Sequence, residues 1–192
     1  VTCFVPESIV AEAAGKIPEA MWVGLPEIPE HGGLALEGLG LIRQHAKRAS
    51  GWIIGPGMGT HEETATLIEE VLALSDAPVL LDADGLRLGI VSLDWQGRSC
   101  VVSPHVGEFN RLLDRELNTP VSEMDVLKLA SDTGCVVIMK GSPTLIAGEG
   151  LAVYSCAGGP VLARGGSGDI LSGLVGGRIA IPNSDLLVSV AE

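Results

Sequence analysis

Short apolar runs that alternate with helix-patterned stretches constrain this chain more than any other feature. Val1-Thr2-Cys3-Phe4-Val5, Met21-Trp22-Val23, Gly51-Trp52-Ile53-Ile54, Pro78-Val79-Leu80-Leu81, Cys100-Val101-Val102 and Cys135-Val136-Val137-Ile138-Met139 are all too short for a core helix. They are apolar on successive residues, not on alternate ones, so each reads as a strand buried on both faces, as in a parallel sheet. Helical spacing marks Leu36 to Ala49, His61 to Leu74, Gly107 to Leu113, and Val121 to Ser131, with Leu127 and Ala130 on one face of the last. Strand and helix in alternation imply a parallel sheet wrapped by helices.

The pattern then changes. Thr144 to Ala147 and Leu151 to Tyr154 flank Gly148-Glu149-Gly150, the mark of a hairpin. From Gly165 onward Ile170, Leu171, Leu174 and Val175 give helical spacing up to about Ile179, and Pro182-Asn183 breaks it. Aromatic residues make up 3% of the 192 residues and apolar residues 46%, so the core must be built from Val, Ile, Leu and Ala. That length favours a single domain, expected over 1–192. The chain opens directly on a strand with no preceding cap or Met, and is expected to be incomplete at both ends.

Net charge and cysteine usage exclude several classes of function. At −12 the chain offers no basic surface for a phosphate backbone, and its few cations do not cluster beyond Lys47-Arg48. An acidic chain still binds an anionic nucleotide where backbone N–H groups form the cradle. Cys3, Cys100, Cys135 and Cys156 lack the spacing of a zinc site and read as reduced thiols. No run is long enough to span a bilayer and no signal peptide is evident, so neither membrane nor nucleic acid is an expected partner and a cytoplasmic location is the expectation.

The residues able to carry chemistry follow the strands. Ala163-Arg164-Gly165-Gly166-Ser167-Gly168-Asp169-Ile170-Leu171 is a glycine-rich turn feeding an apolar helix. Glycines let backbone approach a phosphate, and the first-turn N–H groups and the helix dipole favour negative charge there. Asp169 in that turn is either a helix cap or a base that takes a proton from a hydroxyl attacking the phosphate.

Gly55-Pro56-Gly57-Met58-Gly59-Thr60 lies between a strand and a helix, where open α/β sheets bind ligands, although its spacing is not that of the dinucleotide fingerprint. Asp82 and Asp84 in Leu81-Asp82-Ala83-Asp84-Gly85-Leu86 either hold a magnesium ion, orient a hydroxyl, or serve as turn and cap residues. His105, in Ser103-Pro104-His105-Val106-Gly107-Glu108, is placed to hydrogen-bond a ligand amide or ribose, or is structural. Lys140-Gly141-Ser142-Pro143-Thr144 supplies a cation and hydroxyls for phosphates without a Walker A pattern. His31, His45 and His61 lack partners in sequence and read as surface residues. Parallel strands put all their C-terminal ends on one side of a sheet, so these segments converge there.

Read in order, Gly55 to Gly59, Leu81 to Leu86, Ser103 to Glu108, Met139-Lys140-Gly141 with Thr144, and Gly165 to Asp169 resemble the motif series of the NAD(P)H-hydrate dehydratases. The resemblance covers about Val1 to Gly177. It implies a three-layer ribokinase-like fold with a mostly parallel central sheet flanked by helices and a β-hairpin near residues 144–154. It also implies ADP- or ATP-dependent dehydration of (6S)-NAD(P)H hydrate back to NAD(P)H, with Mg2+ and with ADP or ATP as co-substrate. By motif position Asp169 would deprotonate the substrate hydroxyl. Gly57 or Gly59, with His105, would contact the hydrated dinucleotide. Lys140, Gly141, Ser142, Pro143 and Thr144, with Gly166, Ser167 and Gly168, would hold the adenine nucleotide, and Ser167 stands where the family more often has Met. The expected partners are these two ligands, a second copy of the chain, and a fused or separate epimerase domain. A small-molecule kinase of the same fold and a silent adenine-nucleotide-binding module are the alternatives.

Overall fold

The computed structural model describes residues 1–95 and 98–182, and the chain divides into two compact units. The first comprises Val1–Ala49 and Gly57–Asp76. Strands β1 (Thr2–Pro6) and β2 (Met21–Leu25) pair in parallel from Thr2 opposite Met21 to Pro6 opposite Leu25. The crossover between them is helix α1 (Val10–Lys16), which fully buries no residue and sets only the half-buried Val10, Ala13 and Ala14 on one face, a short and weak periodic signal.

Helix α2 (Leu39–Ala46) occupies the middle of the expected 36–49 stretch, with a 3-10 turn over Leu36–Gly38 before it. Helix α3 (Glu62–Leu72) buries Thr64, Leu67, Ile68, Val71 and Leu72, the i, i+3, i+4, i+7, i+8 stripe of an amphipathic helix. His61 caps it, its Nδ1 accepting from the Glu63 N–H at 3.2 Å.

The second unit comprises Ser50–Pro56 and the described residues from Ala77 onward. Its six-stranded sheet runs β3 (Trp52–Ile54), β4 (Val79–Leu81), β5 (Cys100–Val102), β6 (Val136–Met139), β7 (Thr144–Gly148), β8 (Leu151–Ser155), in space as in sequence. Strands β3 to β6 are parallel, and β7 and β8 are antiparallel to their neighbours. The β7–β8 hairpin turns at Glu149 (φ 52°) and Gly150 (φ 77°), the two positive dihedrals of a type I′ turn, whose twist matches that of the strands. The pairing of β1 with β2 forms a separate sheet, so the strand runs of the sequence divide between two sheets.

In the second unit the helices are α4 (Leu88–Val91), α5 (Val106–Leu112), α6 (Glu123–Thr133) and α7 (Ser167–Ile179). Leu80, Val101, Val136, Ile138 and Ile146 share one face of the sheet and pack with Val175 and Ile179 of α7 and with the partly buried Leu171. Close approach is built in, because a Cβ on Gly176 would lie 2.4 Å from the side chain of Ile53. The alternate residues Val79, Leu81, Val102 and Val137 are fully buried on the opposite face, which explains the unbroken apolar runs. Helix α6 packs along β6 and β7. Cys100 on β5 and Cys135, just before β6, are buried free thiols, Cys3 is half-buried and Cys156 is exposed.

Candidate active site

The register of the parallel strands, Ile54 opposite Leu81 and Leu81 opposite Val102 opposite Val137, aligns their C-terminal ends. Each strand therefore delivers its next residues to one edge: Gly55, Asp82, Ser103 and, two residues further along β6, Lys140. Gly55 has φ 127°, and a Cβ there would stand 1.7 Å from the Asp82 carbonyl oxygen, so only glycine lets the chain leave β3 beside the Asp82 turn. Gly57 and Gly59 belong to the first unit, at φ 68° and 87°. In that unit a Cβ on Gly59 would lie 2.9 Å from Gly33 Cα, so two glycine loops pass in backbone contact.

Asp82 is buried and is the hub of the edge. Its Oδ1 accepts from Lys140 Nζ at 2.7 Å, and its Oδ2 accepts from Ser172 Oγ of α7 at 2.6 Å. Burial pushes its carboxyl up, but the hydrogen bonds from Lys140 and Ser172, the Lys140 charge and the Ser103 hydroxyl outweigh that and hold it below the usual range. The same ammonium lies 3.4 Å from Glu108 Oε2. A Cβ on Gly168 would stand 4.0 Å from Lys140 Nζ, so the cation sits beside the first turn of α7. Lys140 is fixed along its backbone too, its N–H donating to the Pro104 carbonyl at 2.8 Å.

His105 is the N-cap of α5. Its Nδ1 accepts from the N–H groups of Gly107 (3.0 Å) and Glu108 (3.3 Å), while Glu108 Oε2 accepts from the His105 N–H at 2.8 Å. This reciprocal capping box uses Nδ1 as an acceptor, which places the neutral ring's proton on Nε2, at a side chain 59% exposed. The structural reading of His105 is met through Nδ1, while Nε2 lies 3.5 Å from Glu108 Oε1. Glu108, which sequence reasoning left as part of a motif, touches both His105 and Lys140. The only local signal for it is the His-x-x-Glu spacing of a capping box.

The glycine-rich turn before α7 is arranged differently. Gly166 is the N-cap residue at φ 83° and offers no side chain, and no side-chain hydrogen bond caps the helix. Ser167 closes the turn on the Arg164 carbonyl, through its N–H at 3.3 Å and its hydroxyl at 2.8 Å. Gly168 and Asp169 donate their N–H groups to no acceptor among the described residues. Asp169 is the third residue of the helix, exposed, and its carboxylate accepts no hydrogen bond among the described residues. The capping role left open for it is not taken up.

Between β6 and β7, Gly141, Ser142 and Pro143 form an exposed turn with a cis Ser142–Pro143 bond, closed by the Thr144 hydroxyl on the Gly141 carbonyl at 3.0 Å. Asp82 was expected with Asp84 at a magnesium ion; both its oxygens are instead engaged by Lys140 and Ser172. Among the described residues no group of three or more His, Cys, Asp or Glu is placed to hold a metal. His31 stacks on His61 with ring centroids 5.2 Å apart, and His45 meets Phe4 edge-on, so these histidines pack within the first unit.

A mostly parallel sheet with an antiparallel hairpin edge, and a glycine-opened helix over its C-terminal edge, define a ribokinase-like α/β protein. Solved structures share that fold. A ribokinase-like superfamily protein from Enterococcus faecalis superposes with TM-score 0.76 at 22% identity, over 99% of this chain and 65% of that one. An ADP/ATP-dependent NAD(P)H-hydrate dehydratase from Bacillus subtilis, co-crystallised with ATP/Mg2+ and soaked with CoA, gives 0.74 at 24%, over 96% and 66%. The model of the NAD(P)H-hydrate dehydratase family (Carb_kinase) matches residues 1–192, and the chain belongs to that family. The bifunctional NAD(P)H-hydrate repair enzyme Nnr of Thermanaerovibrio acidaminovorans is 37% identical over 185 residues, 94% of this chain and 36% of that protein. The chain thus spans about a third of the length of such relatives. No helix among the described residues is long and apolar enough to cross a membrane.

Proposed function

We propose that this chain carries out the family's reaction, dehydration of (6S)-NAD(P)H hydrate to NAD(P)H driven by ADP or ATP. The observation that carries the reading is the mouth of α7: N–H groups of Gly168 and Asp169 and an Asp169 carboxylate that find no hydrogen-bond partner among the described residues, with the Lys140 ammonium alongside. A terminal phosphoryl group fits the N–H groups and the cation, and developing charge on its oxygens is stabilised there without reorganisation. Asp169 takes the proton from the carbinol hydroxyl of the hydrated ring as that oxygen attacks phosphorus and the shortened nucleotide leaves. Phosphate then departs with the carbon–oxygen bonding pair, the neighbouring ring carbon gives up a proton to water, and the ring double bond is restored.

Gly166 and Gly168 bring backbone to the phosphates with Lys140 alongside, and Ser167 shapes that turn through its bonds to the Arg164 carbonyl. The turn from Gly141 to Thr144 flanks the rest of the adenine nucleotide. The Nε2–H of His105 is the donor offered to the hydrated dinucleotide. Asp82 and Asp84 do not fit a protein-held magnesium site, because the Asp82 oxygens are already committed. A nucleotide's magnesium is therefore assigned to its own phosphate oxygens, as its preference for keeping water and phosphate ligands allows. An epimerase, fused or separate, is the proposed partner, in line with relatives named as bifunctional.

Return of 340 nm absorbance from hydrated NADH, with magnesium and either ADP or ATP, tests the proposal and names the donor. Recovery that disappears in Asp169→Asn supports it. Nucleotide binding without recovery would leave a silent module, and phosphorylation of a small alcohol instead would make the chain a kinase.

A further inference from the structure

Asp82 is buried, whereas Lys140, which it holds, is partly exposed and Asp169 is exposed. Lys140 has three N–H donors. One is donated to Asp82 Oδ1 at 2.7 Å, Glu108 Oε2 pairs with the same ammonium at 3.4 Å, and the ammonium lies 4.0 Å from where a Cβ on Gly168 would stand, at the first turn of α7. The other Asp82 oxygen is held by Ser172, and Ser172 follows Asp169 by three residues, so both lie on one face of α7. A single buried carboxylate thus fixes the cation from β6 and the helix that carries the base.

We infer that Asp82 is a positioning residue which acts through Lys140, setting the ammonium and the α7 mouth in one fixed arrangement for a phosphoryl group. A buried ion pair contributes little to stability compared with an apolar pair of similar volume, so stability alone gives weak reason for one here. Preorganised charge aimed at a phosphoryl group does. Asp82 touches no substrate in this scheme. The carboxylate keeps a long, otherwise flexible side chain in one rotamer, and the Ser172 hydroxyl passes that constraint to the helix. The inference rests on the α7 mouth being a phosphate site, and it adds a residue that neither the motif series nor exposure marks out for this role.

A double-mutant cycle with Asp82→Asn and Lys140→Met tests it, read on turnover of hydrated NADH, nucleotide KM and melting temperature. Asp82→Asn is expected to lower kcat about 100-fold while nucleotide KM rises less than about tenfold, since the arrangement matters most where charge develops. In the Lys140→Met background the same substitution should cost less than about threefold, because its route of action is gone. An equal loss in both backgrounds would overturn the inference and make Asp82 a structural residue. Should Asp82→Asn fail to fold, Ser172→Ala enters the same cycle, with a loss of about fivefold to tenfold that vanishes without the ammonium. If the wild type turns over no hydrate, the functional reading fails. The cycle is then read by calorimetry with ADP, where about tenfold weaker binding confined to the Lys140 background supports positioning and additive or absent losses refute it.

Discussion

Helices α5 and α7 both begin near the C-terminal edge of the same sheet, yet their first turns are finished in opposite ways. At α5 the chain satisfies its own N–H groups, with His105 and Glu108 capping each other. The N-terminus of α6 is closed likewise by Ser122 and Asp125, the latter tied to Arg115 at 2.9 Å. At α7 the cap position is a glycine in the left-handed region, and the acid in the first turn makes no hydrogen bond to backbone among the described residues. A closed first turn contributes stability, and an open one leaves donors and a positive dipole end for a ligand. The difference is between first turns that the chain closes on itself and one that it leaves open among the described residues.

Substitutions at the two starts should therefore fail in different measurements. The largest expected effect is Asp169→Asn, with kcat for hydrated NADH falling by about 10³-fold or more while the melting temperature changes little, because an exposed carboxylate that accepts no hydrogen bond among the described residues carries little stability. An unchanged kcat would return Asp169 to a helix-start residue. Next comes Gly55→Ala, whose Cβ would meet the Asp82 carbonyl at 1.7 Å. It should cost several kcal/mol, on the order of the largest single-residue losses, and appear as insoluble or unfolded protein by circular dichroism. Tolerance of that change would show that the β3 exit can move.

Smaller effects sharpen the contrast at α5. His105→Ala should destabilise by about 1 kcal/mol in urea unfolding, and His105→Asn should recover most of that, since Asn is a good N-cap. Both remove the Nε2–H, so both should raise the KM for the hydrate by a similar factor. A full recovery of KM in His105→Asn would confine His105 to capping. The smallest effect concerns acid. Because Asp82 has its carboxyl held below the usual range, its contribution is complete above the unfolded value of about 3.9 and is lost as pH falls through the lower folded value. Thermal melts below about pH 4 should fall more steeply in the wild type than in Asp82→Asn. Parallel curves would mean that the carboxyl is not held down.

Most elements were legible locally because burial leaves a mark on composition. Doubly buried strands such as Val136–Met139 cannot include polar residues, and the 61–74 stretch repeats its apolar positions at the pitch of α3. Helix α1 was not legible, since it fully buries no residue, and α4 was too short, at four residues, to show a period. The glycine-rich turn before α7 was legible as a helix that opens on glycine. That its acid would be left uncapped was not, because a cap and a free carboxylate are spelled by the same residue.

By itself the sequence determined the α/β alternation, the hairpin after Thr144, the family and the segments that carry polar groups at strand ends, all of which are short-range patterns. Only the tertiary structure decided who meets whom. Lys140 finds Asp82 across 58 residues and Ser172 finds it across 90, through two strands separated by β5 and a helix laid over them. Periodicity says which face of an element is buried but not which element lies beside it. Strand order, register and the close seat of α7 on β3 set those distances, and they are properties of the packed chain.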